Sequence, residues 1–276
     1  MITFNQLGYF GKLGNQMFQY ATLYGIAKKN GYDFCVPDTN CDWRLVSDYN
    51  CKFYLPEIFN ITAKGSLKQI EQKNNYQYME HIFDPRALAL PDNTDISGYF
   101  QSEKYFAHCA EDIKKEFSFK NQKLYQEVSM QMKSLPTKIG VHIRRGDYVR
   151  KQHFHPLCSP EYYKQAINEL QSGLDDFVLY VFSDDIQWCR DNFHLITDAK
   201  VVFDEQGGDE QNYFLNQEKT LMKMTMCDKF IIANSSYSWW GAWLGKNEQV
   251  IAPRSWFTWM HESQYKDIYC QHWKII

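Results

Sequence analysis

The chain lacks most of the features that would assign it at once. Its eight cysteines, at 35, 41, 51, 109, 158, 189, 227 and 270, include no Cys-x-x-Cys pair and no zinc spacing, so they read as reduced packing thiols and no metal is expected. No run of 18 apolar residues occurs, and Met1-Ile2-Thr3-Phe4-Asn5-Gln6 opens with neither a basic nor an apolar leader segment. A membrane-spanning anchor is therefore not expected. The formal charge of −3 argues against a general nucleic-acid binder. No Gly-x-Ser-x-Gly elbow supports a serine hydrolase, and neither repeats nor low-complexity tracts occur. What is present is a 276-residue chain with 44% hydrophobic and 17% aromatic residues, enough to bury one or two cores and to stack on sugars or bases.

Within that chain the most informative stretch is Gly140-Val141-His142-Ile143-Arg144-Arg145-Gly146-Asp147. Thr137 to Ile143 reads as a short strand bounded by Pro136 and a glycine turn. A strand's period of two then puts His142 and Arg144 on one face, with Ile143 and Arg145 pointing away. Arginine suits a nucleotide diphosphate because its planar fork makes two parallel charge-assisted hydrogen bonds and stays charged at any working pH. Seen alone, Arg-Arg-x-Asp is an ordinary surface salt bridge.

Three further segments weigh against that bland reading. Gly11-Lys12-Leu13-Gly14-Asn15-Gln16 is a glycine turn opening a helix, and a helix start with free amides is an anion site. Phe177 to Phe182 is an apolar run that ends in Ser183-Asp184-Asp185, as a buried parallel strand would deliver polar groups at its carboxyl end, where open α/β sheets bind ligands. Phe230 to Ala233 runs in the same way into Asn234-Ser235-Ser236-Tyr237-Ser238-Trp239-Trp240, small hydroxyl residues suited to a phosphate or ribose before an aromatic helix start. In that helix Trp240 and Trp243 read as core, and Trp239 as core or as facing the ligand. Tyr148, His153 and His155 follow the Arg box on a polar loop, either lining an acceptor or merely solvated.

Taken in order, these segments resemble the bacterial α-1,2-fucosyltransferases, inverting enzymes that move L-fucose from GDP-fucose onto a galactoside. Gly11 to Ala21 looks like their glycine-rich signature, His142 to Asp147 like the His-x-Arg-Arg-x-Asp box, and Phe182-Ser183-Asp184-Asp185 and Asn234 to Leu244 like the two later boxes. The resemblance is strongest over 137–245 and at the N-terminus; acceptor choice is expected between about 35 and 130. It implies an α/β fold of the GT-B type, with two Rossmann-like domains facing a central cleft. It also implies transfer from GDP-β-L-fucose to the 2-hydroxyl of a terminal β-galactoside with inversion. The alternatives are a fucosyltransferase of other linkage and a non-catalytic nucleotide-sugar or glycan-binding module. GDP-fucose is a co-substrate, no cofactor is expected, and the acceptor is an oligosaccharide or a lipid-linked glycan. The implied location is the bacterial cytoplasm, with a peripheral contact at the inner membrane left open.

The same resemblance distributes roles. Gly14, Asn15, Gln16, His142, Arg144, Arg145, Ser183, Asp184, Asp185, Asn234, Ser235 and Ser236 are the expected donor contacts. With no Asp-x-Asp anywhere in the chain to hold a metal, Arg144 is expected to neutralise the charge that grows on the leaving β-phosphate. Arg145 is expected to orient Asp147 or the loop. Asp147 is the candidate base or simply the partner of an arginine; His142 is a nucleotide contact or a structural residue. Of Asp184 and Asp185, one would reach the nucleotide while the other caps the next helix. The family carries an acidic residue, before the Asn-Ser-Ser box, that resembles the guanine-reading carboxylate of related fucosyltransferases, but here the region reads Asn216-Gln217-Glu218-Lys219-Thr220-Leu221. Glu218 is the candidate replacement, with backbone groups or His142 as alternatives, because Thr220 cannot accept from both N1–H and N2–H of the base.

For organisation, an acceptor-side α/β domain over 1–133 and a GDP-fucose-binding Rossmann-like domain over 134–276 are expected. Ala107 to Met132 reads as a polar helical tract bridging them. The second half alternates strands (139–143, 177–182, 200–203, 230–233, 249–252) with helical tracts (160–172, 186–193, 217–226), which implies a parallel sheet covered by helices. A Cys/Trp/Tyr-rich stretch spans Phe34 to Phe59.

Overall fold

The computed structural model describes residues 1–38, 53–205, 213–247 and 249–276. Cys41 and Cys51, read above as packing thiols, lie outside the described residues, as does most of the stretch from 34 to 59. The chain divides into two compact units, 1–120 with 263–270, and 121–262 with 271–276.

The first unit contains β1 (Ile2–Thr3), α1 (Leu13–Asn30), β2 (Phe34–Pro37), α2 (Leu55–Ile58), β3 (Lys64–Ser66), β4 (Asn74–Tyr78), β5 (Thr94–Gly98) and α3 (Ala110–Glu116). Its strands form one parallel sheet in the order β3-β2-β1-β5-β4. Buried residues occur on every side of α1, including Leu13, Met17, Phe18, Tyr20, Leu23 and Ile26, as expected of a helix sunk in a core rather than lying on a surface. It stops at Gly31, whose left-handed φ of 69° lets its N–H reach back to the Ala27 carbonyl.

The second unit contains α4 (Gln122–Lys133), β6 (Thr137–Ile143), α5 (Pro160–Leu170), β7 (Phe177–Ser183), α6 (Ile186–Asn192), β8 (Val201–Phe203), α7 (Tyr213–Thr225), β9 (Lys229–Ile231), α8 (Ser236–Leu244), β10 (Gln249–Ala252) and β11 (Lys274–Ile275). The sheet is again parallel, in the order β11-β10-β9-β6-β7-β8. Ile139, Val141, Ile143, Leu179, Val181, Ile231 and Ile251 pack against Tyr163, Ala166, Ile167 and Leu170 of α5 and Cys189 of α6. The other face carries Tyr180, Phe182 and Phe230 in stacked contact. Gly140 lies on that face, where a Cβ would come within 2.4 Å of the Phe230 ring. On this side Lys223 of α7 lies over Tyr180, and Tyr237 of α8 meets His142.

The strand expected over 137–143 is observed over those residues, and the expected alternation of strands and helices holds. Three details differ. The helical tract of 107–132 is broken between Phe117 and Asn121, and Asn121 caps α4 through its side chain. That helix packs on α7, so it belongs with the second unit rather than ending the first. Residues 263–270 rejoin the first unit, where Asp267 accepts from the Phe83 N–H at 3.0 Å and pairs with Lys104.

Candidate active site

Parallel register explains why charges converge at the carboxyl edge of the second sheet. Ile143 pairs with Ser183, so the residues that follow, Arg144-Arg145 and Asp184-Asp185, leave the sheet side by side. Arg144 donates from Nη1 to Asp184 and from Nη2 to Asp147, and its guanidinium lies 4.9 Å over the Tyr148 ring. Arg145 turns elsewhere: Nε donates to Asp185 at 3.1 Å and the guanidinium lies 3.8 Å over Trp188. Its backbone N–H donates to Asp184 at 2.8 Å. At Gly146 a Cβ would fall 2.2 Å from Asp184 Oδ2, so a larger residue there displaces the carboxylate that Arg144 holds.

Of the expected pairings, that of Arg145 with Asp147 is not observed. Arg144, not Arg145, holds Asp147, whose second oxygen accepts from Lys151 at 3.1 Å. Arg145 is braced against α6, where Asp185 is the cap, accepting from the Trp188 N–H at 3.3 Å. Asp184 is thus the member of the pair beside Arg144, and Asp185 the helix-capping one. Ser183, nearly buried, accepts from the Asp185 N–H at 3.0 Å through its hydroxyl.

His142 sits on the sheet face under α8, 5% exposed, with Nδ1 buried and without a hydrogen-bond partner. Burial, reinforced by the Arg144 charge, pushes its pKa down to about 3, so the imidazole is neutral at physiological pH. Its carbonyl accepts from the Tyr163 hydroxyl at 3.0 Å, which ties this point of the strand to α5. Tyr237 packs edge-on against the imidazole, with centroids 6.3 Å apart, and donates to the Gln217 carbonyl. The adjacent Glu218 is buried with Oε1 unpartnered. Burial raises its pKa, and a hydrogen bond from the Asn121 backbone opposes that rise.

Asn234 is spent on the scaffold. Its amide donates to the Pro156 carbonyl at 3.0 Å and the Trp256 carbonyl at 3.1 Å, while its own carbonyl accepts from the Tyr148 hydroxyl at 3.2 Å. Ser235 is the residue before α8, yet no side chain caps that helix, whose first residue is Ser236. Its first-turn amides therefore present an electropositive end beside the Asn-Ser-Ser loop. Trp239 is fully buried, as is Trp240, so both belong to the core.

The remaining expected contacts lie in the first unit. Gly14, Asn15 and Gln16 form the first turn of α1, whose N-terminus likewise has no side-chain cap. Gln16 is completely buried; its amide accepts from the Tyr54 N–H at 2.9 Å and donates to the Gly11 carbonyl at 3.5 Å. It acts as a brace of the glycine loop. Gln19 does the same from the next turn, donating to the Phe10 carbonyl at 3.0 Å and the Gly98 carbonyl at 3.2 Å. Asn15 accepts from Gln101 at 2.8 Å.

Sequence reasoning missed one buried cluster. Asp204, directly after β8, accepts from Thr220 at 2.6 Å and from Lys223 at 2.6 Å, with both charged side chains at most 4% exposed. The signal was there in Val201-Val202-Phe203-Asp204, an apolar strand ending in a carboxylate, as in the run that ends at Asp184. Thr220, in the segment before the Asn-Ser-Ser box, is thus engaged with a carboxylate brought from another strand. A cavity of about 750 Å³ opens at the opposite end of β7, beside Phe177, Lys164 and His194. None of the expected site residues lines it.

The family model described as Glycosyl transferase family 11 matches residues 2–276. An alpha-1,2-colitosyltransferase of Escherichia coli is 32% identical over 90% of this chain and 90% of its own. The O-antigen biosynthesis glycosyltransferase WbnK of the same organism is 27% identical over 92% and 95%, and galactoside alpha-(1,2)-fucosyltransferase 2 of gorilla is 27% identical over 87% and 68%. Among solved structures, NodZ alpha-1,6-fucosyltransferase co-crystallized with GDP matches with a TM-score of 0.54 at 12% identity, covering 88% of this chain and 92% of that one. At that identity the likeness concerns the fold, α/β with parallel sheets of the GT-B type, as the resemblance implied. Among the described residues, no helix is long and apolar enough to cross a membrane.

Proposed function

The chain belongs to glycosyl transferase family 11, and we propose that it transfers L-fucose from GDP-β-L-fucose to the 2-hydroxyl of a terminal β-galactoside with inversion. The carrying observation is the β6–β7 register, which brings Arg144 out at the sheet edge between Asp147 and Asp184. A diphosphate entering there competes for both arms of the guanidinium with oxygens of matching fork geometry. Arg144 then faces the charge that develops on the leaving β-phosphate, a contact stronger in the transition state than in the ground state. Its capture by phosphate frees Asp147 Oδ1, the oxygen that Lys151 does not hold, to accept the proton of the attacking hydroxyl.

The other roles follow from the same edge. Ser235 and Ser236, with the uncapped start of α8, offer amides and hydroxyls to phosphate. Glu218, with Oε1 unpartnered, and neutral His142 are the base-reading groups, a carboxylate matching the two N–H donors of guanine. In the first unit, Gly14 and Asn15 at the uncapped start of α1 offer amides of the same kind, with Gln16 shaping that loop. The second unit is the donor domain, and the first carries part of the acceptor recognition. The gorilla relative is named for α-1,2 transfer of fucose to galactosides and supports this reading.

Transfer of colitose is the second reading, favoured by the 32% identity to the colitosyltransferase. Incubating the protein with GDP-fucose or GDP-colitose and a panel of β-galactosides in excess EDTA, with linkage analysis of the products, tests both. An α-1,2-fucosylated galactoside formed without metal is expected. Product only from GDP-colitose moves the donor assignment, and turnover that requires Mg²⁺ or Mn²⁺ overturns the arginine-based mechanism.

A further inference from the structure

A line of rings leads away from Arg144, and the transfer step itself gives most of it no task. Tyr148, under the guanidinium, stacks on His155 with centroids 4.5 Å apart and 10° between planes. His155 packs at 5.5 Å against Phe257, and Phe257 at 6.2 Å against Trp259. Each ring touches the next, so a continuous aromatic path joins the guanidinium to Trp259, which is 58% exposed. Phe154 lies alongside, 47% exposed. The Thr258 N–H donates to the Phe154 carbonyl at 3.1 Å, and the Thr258 hydroxyl donates to the Gln152 carbonyl at 2.8 Å.

Those two bonds lash the loop after the Arg box to the loop that carries Trp259. The exposed rings are therefore positioned by backbone contacts. An indole and a phenyl left in water at the end of a path that begins at the reacting group mark a binding surface rather than scattered exposure. His155 adds polarity to the path: its Nδ1 is buried without a hydrogen-bond partner, and burial lowers its pKa, keeping the ring neutral.

We propose that exposed Trp259 and Phe154, backed by buried Phe257 and by half-buried His155 and Tyr148, form an extended acceptor subsite for the sugars that follow the reacting galactose in an oligosaccharide. The inference rests on the transferase reading above. Pyranose rings offer flat C–H faces to aromatic surfaces and hydroxyls to a neutral imidazole, and an amphipathic ring loses little conformational freedom when it binds. Continuity with Arg144 selects this occupant, since a chain whose terminal galactose reaches the leaving fucosyl group must pass over the neighbouring rings. The site should therefore favour acceptors of several sugars over a single galactoside.

The test compares kcat/KM for a tetrasaccharide ending in β-galactose with that for methyl β-galactoside, in wild type, Trp259→Ala and Phe154→Ala. Saturation-transfer NMR of the tetrasaccharide without donor runs alongside. Wild type is expected to prefer the tetrasaccharide. Trp259→Ala should lower its kcat/KM about tenfold, toward the value for the methyl glycoside, because truncating an aromatic anchor typically costs that much. It should also remove saturation from the sugars beyond the terminal galactose. Both variants keeping the wild-type length preference and saturation pattern would overturn the subsite. So would Trp259-dependent co-sedimentation with phosphatidylglycerol vesicles without glycan saturation, which assigns the surface to a membrane. If wild type transfers to no galactoside while Trp259→Ala still abolishes glycan saturation, the transfer reading fails and the subsite stands; absence of both transfer and glycan contact in wild type defeats both.

Discussion

The two sheets end in the same device, but only the second adds charged groups to the edge around it. Each carboxyl edge feeds a helix whose first turn no side chain caps, α1 in the first unit and α8 in the second. Around α1 the loop is fixed by neutral amides: Gln16 and Gln19 are fully buried and spend both ends on backbone groups. At the edge of the second sheet the Asn234 amide does the same before α8, but the groups that fix the ends of β6 and β7 are charged. Arg144 and Arg145 keep 21% and 19% of their side chains in water, and a buried pair, Lys223–Asp204, holds the end of β8 to α7. The difference is physical. An amide carries donor and acceptor in one plane and can be buried once both are satisfied, whereas a buried charge needs a partner of opposite sign. A loop that only has to hold its shape can use the first; an edge that has to exchange partners with a charged ligand needs the second.

This contrast is open to measurement, and the largest effect is expected at Lys223. Lys223→Met leaves Asp204 buried with no countercharge, which costs about 3–5 kcal/mol and should show as a large drop in the denaturant midpoint. Adding Asp204→Asn to it should restore much of the loss. At Gln19, truncation to Ala strands the Phe10 and Gly98 carbonyls for about 1–3 kcal/mol. A Gln19→Ala loss as large as that of Lys223→Met, compared by urea unfolding, would erase the distinction between amide-built and charge-built edges.

The smallest effect concerns pH. His142 titrates near 6.5 in the unfolded chain and is held to about 3 in the fold by burial and by Arg144. Its contribution is therefore whole above pH 6.5 and is lost as pH falls from there toward 3, by about 1.4 kcal/mol at pH 5.5. His142→Asn should flatten that part of the stability curve. An unchanged slope between pH 7 and 5.5 would mean that the imidazole is not desolvated.

Much of the second unit was legible in the sequence, because local pattern determined it. The run 137–143 is a strand as read, and one of the carboxylates after β7, Asp185, caps the next helix as expected of one of the pair. What escaped depends on groups that only the fold brings together. Nothing local indicates that Thr220 and Lys223 meet Asp204, that Trp188 lies under Arg145, or that Asn234 braces two distant loops. Gln16 was expected as a donor contact from the glycine-rich signature, and its side chain turns inward to Tyr54, a partner 38 positions away. The division between units escaped for the same reason: residues 263–270 return to the first unit through contacts such as Asp267 with Lys104 and Phe83.

The central claim is that Arg144 meets the leaving diphosphate while Arg145 supports the turn. The most direct test is kcat of Arg144→Lys and Arg145→Lys with GDP-fucose and galactoside saturating, alongside thermal melts. Lysine keeps the charge and loses the fork, so Arg144→Lys should lower kcat about 10²-fold or more with little change in melting temperature. Arg145→Lys should be milder in kcat and lose mainly its stacking on Trp188. Near-wild-type turnover in Arg144→Lys, or a collapsed melting temperature that accounts for its inactivity, would contradict the assignment.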